Sequence, residues 1–272
     1  MMEKKILRAK VLSQRAAADR IYDMVLDAPE IAVSAKAGQF VSLYCADKSR
    51  LLPRPVSLCG IDREAGTLRL LYRVTGTGTG TEEFSRLTGQ DEIKIMGPLG
   101  NGFTVLPGKR ALLIGGGIGV PPMLQLAKDI RAGVAPGLSG AQVHTEFSMV
   151  MGYRDSGTFL LDEFSGQGEC LVATEDGSVG TKGNVLDVIK AGNISADVIY
   201  ACGPMPMLRA IKAYAMERGI ACYISMEERM ACGIGACLAC VCASTEKDVH
   251  TNVHNKRICK EGPVFDAREV EL

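Results

Sequence analysis

The chain has 272 residues, 47% hydrophobic and 23% charged, and its 31 Lys and Arg balance 31 Asp and Glu. That composition argues against disorder, a collagen-like repeat or a coiled coil, and the neutral balance argues against a general nucleic-acid binder. No apolar run reaches the ~18 residues of a membrane span, and the start MMEKKILRAKVLSQRAAADR lacks the apolar core of a signal peptide, so a cytoplasmic protein away from membranes is expected.

Up to about residue 105 the pattern predicts short strands broken by turns: Ile6–Leu12, Ile21–Asp27, Gln39–Cys45, Val56–Asp62, Thr67–Val74 and Glu92–Met96. Their spacing suggests an antiparallel barrel or sandwich. Near Pro107 the pattern changes. Ala111-Leu-Leu-Ile114 reads as a buried strand, Gly115-Gly-Gly-Ile-Gly119 as a turn, and Pro121-Pro122 as a helix opening. Strands over Phe147–Met151, Cys170–Thr174 and Asp197–Ala201 and helices over Val185–Ala191 and Met205–Gly219 follow. Such alternation predicts a parallel sheet with helices on its faces. From about 222 neither pattern holds. The expected division is 1–105, an all-β barrel; 106–220, an α/β domain; and 221–272, a cysteine-bearing module.

Ten cysteines are an anomaly. Cys45, Cys59, Cys170, Cys202 and Cys222 are scattered, whereas Cys232, Cys237, Cys240, Cys242 and Cys259 crowd into the tail. In a reducing compartment such crowding reads as metal binding. Cys232-Gly-Ile-Gly-Ala-Cys237-Leu-Ala-Cys240 has the C-x4-C-x2-C spacing of plant-type [2Fe–2S] proteins, and Cys259 supplies a fourth thiolate. Gly233 and Gly235 supply the backbone angles for wrapping a cluster. Four thiolates also suit tetrahedral zinc, although zinc sites more often show two short cysteine pairs. Cys242 is a rival ligand by periodicity; the spacing is complete without it, which favours a packing role.

Two further regions carry chemistry. The turn Gly115, Gly116, Gly117 and Gly119 lets backbone approach a pyrophosphate at a helix N-terminus, and Thr174-Glu-Asp-Gly177 and Cys202-Gly203 sit at the same predicted strand ends, where open α/β sheets bind nucleotides. In the first half, Arg54-Pro-Val-Ser57, Tyr72-Arg73 and Gly76-Thr-Gly-Thr-Gly-Thr81 supply two arginines, a tyrosine for stacking and a helix start, a set that alone reads as a solvated strand end with ordinary turns and, with the rest of the chain, suits a dinucleotide such as FAD.

Arg54-Pro-Val-Ser57, Met96-Gly-Pro-Leu-Gly-Asn-Gly-Phe103, Gly115-Gly-Gly-Ile-Gly-Val-Pro-Pro122 and Cys202-Gly-Pro-Met205, in this order, resemble the ferredoxin–NADP reductase superfamily. The continuation Met226-Glu-Glu-Arg-Met-Ala-Cys232 into the cysteine block is similar to the iron–sulfur electron-transfer subunits of dihydroorotate dehydrogenase B. The resemblance implies an FAD-binding barrel, an NAD-binding α/β domain and a C-terminal [2Fe–2S] module. It implies that Arg54, Pro55, Val56 and Ser57, then Leu71, Tyr72 and Arg73, contact FAD. A Gly-Thr pair follows in the family; Gly78-Thr79 and Gly80-Thr81 both qualify, and counting back from Phe84-Ser85 selects Gly80 and Thr81. Cys232, Cys237, Cys240 and Cys259 are the implied cluster ligands. The implied activity is electron transfer between NADH, FAD and the cluster, with physiological flow towards NAD+. The implied partner is an FMN-containing catalytic subunit that oxidises dihydroorotate to orotate, in a heterotetramer of two plus two, with Phe265 near the contact. A related diaphorase subunit of a hydrogenase, sulfite reductase or bifurcating complex would share these motifs; a flavin-free, zinc-stabilised binding module would not. Asp155 could select NADH through its ribose, while the adjacent Arg154 could accommodate the phosphate of NADPH; the family favours NADH.

Overall fold

The computed structural model describes residues 4–138, 145–248 and 252–272. Six strands come first: β1 (Lys5–Ala18), β2 (Ile21–Asp27), β3 (Phe40–Tyr44), β4 (Arg54–Asp62), β5 (Thr67–Arg73) and β6 (Glu92–Leu99), with short helices α1 (Pro29–Ala32) and α2 (Gly80–Phe84) in the connections. They close into an antiparallel barrel in the order β1-β2-β5-β4-β3-β6. The expected Ile6–Leu12 strand is the inner part of a longer β1, which runs to a tight turn where Arg20 takes φ +56° and Ala18 pairs with Ile21. Alternation decides what each barrel residue faces. Leu68, Leu70 and Tyr72 of β5 fill the barrel core, whereas Leu71 packs outward in the core of the second half.

The second half places β7 (Ala111–Gly116), α3 (Val120–Arg131), β8 (Phe147–Tyr153), α4 (Leu161–Ser165), β9 (Cys170–Thr174), β10 (Thr181–Lys182), α5 (Val185–Ala191), β11 (Val198–Cys202), α6 (Met205–Arg218) and β12 (Ala221–Ser225) in chain order. The tail adds β13 (Val241–Ala243), paired with β14 (Asn255–Arg257), and then β15 (Val264–Asp266). The large sheet runs β10-β9-β8-β7-β11-β12-β15, parallel throughout except for β15, which pairs antiparallel with β12. The sheet therefore crosses the boundary expected at 220/221. Ala221–Ser225 is too short a run to announce itself. The three residues of β15 become a strand only because β12 offers an edge to pair with. Phe265, expected near a partner contact, is instead 3% exposed, in a core with Ile224, Cys240 and Cys259. Pairing of Phe265 with Ile224 turns its ring inward, so it is corrected from surface to core.

Polar contacts bind the two halves. The Ile61 amide donates to Gln125 Oε1 on α3 at 2.7 Å, and Arg69 on β5 bridges Asp23 on β2 and Glu163 on α4, each at 2.8 Å. Burial pushes the Asp23 carboxyl up, but the bonds and charges of Arg69 and Arg15 outweigh it and hold it below the usual carboxylate range. A depressed folded pKa gives stability that is fully present above the ordinary aspartate value of about 3.9 and is lost as pH falls through the folded value. Asp23→Asn is therefore expected to cost about 3 kcal/mol at pH 7, because it leaves the guanidinium half-compensated. It should also flatten the acid limb of the stability–pH profile below about pH 4 in urea melts. An unchanged acid limb would remove Asp23 from that account.

Candidate functional site

The outer wall of the barrel carries the first set of residues. Arg54 and Gly80 meet there: a Cβ on Gly80 would stand 3.2 Å from Arg54 Nε and 2.6 Å from Cys45 Sγ, so only glycine lets the guanidinium lie along that backbone. Pro55 and Ser57 pair in register with Ser42 and Phe40, while Val56 turns into the barrel core. Thr79 caps α2, its hydroxyl accepting from the Glu82 amide at 3.3 Å. The Thr81 hydroxyl accepts from the Thr75 amide at 3.1 Å and stands 3.2 and 3.1 Å from the hydroxyls of Thr75 and Thr79, so it is engaged within its own loop. Tyr72 requires a correction. It is 3% exposed, lies flat against Tyr22 with ring centroids 6.0 Å apart, and donates its hydroxyl to Gln14 Oε1 at 2.8 Å. Its position in the strand points it into the barrel, so its ring is not available for stacking; Arg73, next along, is exposed.

In the second half the turns after β7 and β11 press backbone to backbone. A Cβ on Gly119 would stand 2.4 Å from the Cys202 carbonyl oxygen, and one on Gly203 would stand 3.2 Å from the Gly116 amide nitrogen. Gly115 and Gly116 are closed in by Met151 and Met207. Gly117 differs: at φ +52°, the Arg73 guanidinium at 3.8 Å is what its Cβ would meet among the described residues, so it faces a cleft between the halves. Glu227 lies within electrostatic reach of the same Arg73. It is solvent-accessible, yet desolvation pushes its carboxyl up against the pull of Arg73. Burial pushes the neighbouring Cys202 thiol to about 12, with a hydrogen bond from Ser225 opposing and the charge of Glu227 adding to it. The sequence reading missed Glu227. An acidic pair directly after a sheet strand would have pointed to it, had β12 been legible. Asp155 accepts from the Gly157 amide at 2.9 Å and so is engaged in its own turn, while Arg154 is exposed.

The cysteine loop lies against β3 and β6: a Cβ on Gly233 would stand 3.1 Å from Ser42 Oγ and 3.2 Å from Met96 Cε and Leu99 Cδ1. Gly233 and Gly235 take φ +68° and +85°, as the loop reading expects. Cys232 Sγ accepts from the amides of Ile234 and Ala236 at 3.4 and 3.3 Å. Burial raises the Cys232 thiol, but these amides and the amide and thiol of Cys237 prevail and leave it at about 6. Cys240 Sγ accepts from the Cys259 amide at 3.4 Å, and burial and the Cys240 side chain push the Cys259 thiol to about 12. The thiols thus gather as two pairs, Cys232 with Cys237 and Cys240 with Cys259. Among the described residues no three such side chains surround one point closely enough for a single ion. Thiols gathered under backbone donors would suit an iron–sulfur cluster better than a lone tetrahedral ion. Cys242 points elsewhere, its thiol donating to the Lys256 carbonyl at 3.5 Å. Cys237 is exposed and is flanked by the exposed Ile234 and Leu238.

Residues 227–271 match the family model of the iron–sulfur cluster binding domain of dihydroorotate dehydrogenase B, and residues 7–103 that of the oxidoreductase FAD-binding domain. The electron transfer subunit of dihydroorotate dehydrogenase B (NAD(+)) from Listeria welshimeri is 44% identical over 97% of this chain and 98% of its own. The subunit of the same name from Bacillus caldolyticus is 42% identical over the same shares. Among solved structures, an NADH-dependent reduced ferredoxin-NADP oxidoreductase, studied for flavin-based electron bifurcation, superposes with a TM-score of 0.82 at 27% identity, over 97% of this chain and 89% of its own. A ferredoxin NADP+ reductase from Neisseria gonorrhoeae, at 16% identity and a TM-score of 0.66 over 84% and 96%, shares the fold.

Proposed function

Because this chain belongs to the family of electron transfer subunits of dihydroorotate dehydrogenase B, we propose that it links NAD(H), bound at the Gly115–Gly119 turn, through FAD on the barrel wall to a [2Fe–2S] cluster held by Cys232, Cys237, Cys240 and Cys259. It is an FAD- and iron–sulfur-containing oxidoreductase component that works with a catalytic partner. The partner we propose is an FMN protein that oxidises dihydroorotate to orotate, two copies with two of this chain, in the cytoplasm, with net flow towards NAD+. The observation that carries the reading is the continuity of three sites. Arg54 and Gly80 lie on the barrel wall, Arg73 faces Gly117 across the cleft, and Gly233 of the cysteine loop packs on β3 of the same barrel.

When bound, the flavin exchanges two electrons as a hydride with the nicotinamide and single electrons with the cluster, which is why one chain holds both. The protein's part is placement and electrostatics. Arg54 and Arg73 supply fixed positive charge for a diphosphate. The Gly119 and Gly203 contacts hold two loops at the strand ends where a nicotinamide nucleotide would rest. The amides of Ile234, Ala236 and Cys259 donate to thiolate sulfur and favour the charged ligand form. Ile234 and Leu238, exposed beside Cys237, offer an apolar rim for the catalytic partner. Identity falls from 44% against the dihydroorotate dehydrogenase subunit to 27% against the ferredoxin-linked enzyme, which supports the former host.

Anaerobic addition of NADH to the purified holoprotein is expected to bleach the flavin band and to raise the EPR signal of a reduced [2Fe–2S] cluster. Flavin bleaching without that signal, or zinc in place of iron, would overturn the reading. NADPH should be the poorer donor by about tenfold or more in kcat/KM, a small difference in binding free energy.

A further inference from the structure

The residues of β3 alternate between two environments. Val41 and Leu43 belong to the barrel core, whereas Phe40 and Tyr44 pack outward, in the cluster of residues that contains Met96, Cys240 and Cys259. The same period turns Ser42 outward, and its Oγ stands 3.1 Å from the Cβ position of Gly233. Ser42 is fully buried, and its hydroxyl has no hydrogen-bond partner among the described residues. Met96 Cε and Leu99 Cδ1 stand 3.2 Å from the same Gly233 position, so the hydroxyl is turned towards the 232–240 loop at a point otherwise lined by methyl groups. Tyr44, two residues on, packs on the same side of the strand, its hydroxyl 3.9 Å from Met96 Sδ. A buried hydroxyl without a partner is costly, and such a group in a native structure calls for one.

We propose that Ser42 Oγ donates a hydrogen bond into the sulfur shell of the cluster and sets its reduction potential. This rests on the cysteine-ligated cluster proposed above. A donor to sulfur favours the reduced form, which carries one more negative charge, so it raises the potential. Ser42 acts here as a positioning and tuning residue and has no part in bond making.

The test is an EPR-monitored redox titration of the holoprotein and of Ser42→Ala. The variant is expected to shift the cluster equilibrium against the mediators about tenfold towards the oxidised form, about 59 mV for one electron, with FAD content and flavin midpoint unchanged. In a second measurement both proteins are equilibrated in D2O, and electron–nuclear double resonance on the reduced cluster should show a coupled deuteron in the wild type that Ser42→Ala lacks. An unmoved cluster midpoint, or a shift confined to the flavin, would overturn the proposal; Ser42 pairs in register with Pro55, so the flavin is the competing neighbour. Absence of iron, sulfide and EPR signal from the wild type would instead remove the cluster itself, and the proposal with it, before any variant is compared.

Discussion

Cys240→Ser is expected to strip the chain of iron and acid-labile sulfide and to slow electron delivery to the catalytic partner by roughly a hundredfold or more, beyond the loss seen when only supporting groups around a metal are changed. Cys240 is 2% exposed, and its sulfur already accepts the Cys259 amide at 3.4 Å. Iron–sulfur ligation needs an ionised, soft donor, and a serine hydroxyl remains protonated at neutral pH where a thiol can ionise. The flavin band should still bleach with NADH, because Arg54, Gly80, Arg73 and Gly117 lie on the barrel wall and across the cleft. Cys242→Ser is the matched control. Its thiol donates to the Lys256 carbonyl on the β13–β14 ladder, so that variant should keep its iron. Iron analysis and EPR of the two proteins side by side decide the matter. A Cys240→Ser protein with a full complement of iron would show that the C-x4-C-x2-C spacing had been misread.

How much of this was legible in the sequence depended on whether the signal was local. The spans Ile21–Asp27, Cys170–Thr174 and Val185–Ala191 coincide with their predicted limits because their ends are set by neighbours in the chain. Asn184 caps α5 by accepting from the amides of Leu186 and Asp187 while the Asp187 carboxylate accepts from the Asn184 amide, and Gly192 follows the last turn. The cysteine spacing was legible for the same reason. The pairing of Cys240 with Cys259 was not, since it depends on a chain excursion through β13 and β14. β12 and β15 were hidden because each is short and becomes a strand by extending an existing sheet, and Glu227 was hidden with them. Tyr72 was misread as a stacking group because composition names a residue type without its side of the strand. Its partners Tyr22 and Gln14 come from other strands. Ser42 carries no sequence signal: a serine among apolar neighbours in a short strand becomes notable only when the cysteine loop folds over it.

Gly119→Ala is expected to raise KM for NADH about tenfold or more while leaving the FAD and iron contents intact. Gly119 has φ −84° and ψ −5°, a conformation that alanine adopts freely, so backbone preference does not explain the glycine. Space does. The added Cβ would stand 2.4 Å from the Cys202 carbonyl oxygen, 2.5 Å from its carbonyl carbon and 2.6 Å from Gly203 Cα. All three are backbone atoms, so no rotamer change can relieve the contact, and the turns after β7 and β11 must move apart. Overpacking of this kind costs about 1–3 kcal/mol in stability. The larger consequence is functional, because a displacement near 1 Å at a site that positions reactants can cost about a hundredfold. Gly133→Ala separates the two effects. Gly133 takes φ +69° with no atom of the described residues beyond its chain neighbours within 4 Å of its Cβ position, so alanine there is expected to cost about 1 kcal/mol through backbone strain and to leave NADH kinetics unchanged. Thermal melts place the two variants on one stability scale, and stopped-flow reduction of the flavin by NADH reads the difference between them. If Gly119→Ala matched Gly133→Ala in both, the glycine turn would be a tight strand-to-helix connection and the nucleotide would have to bind elsewhere.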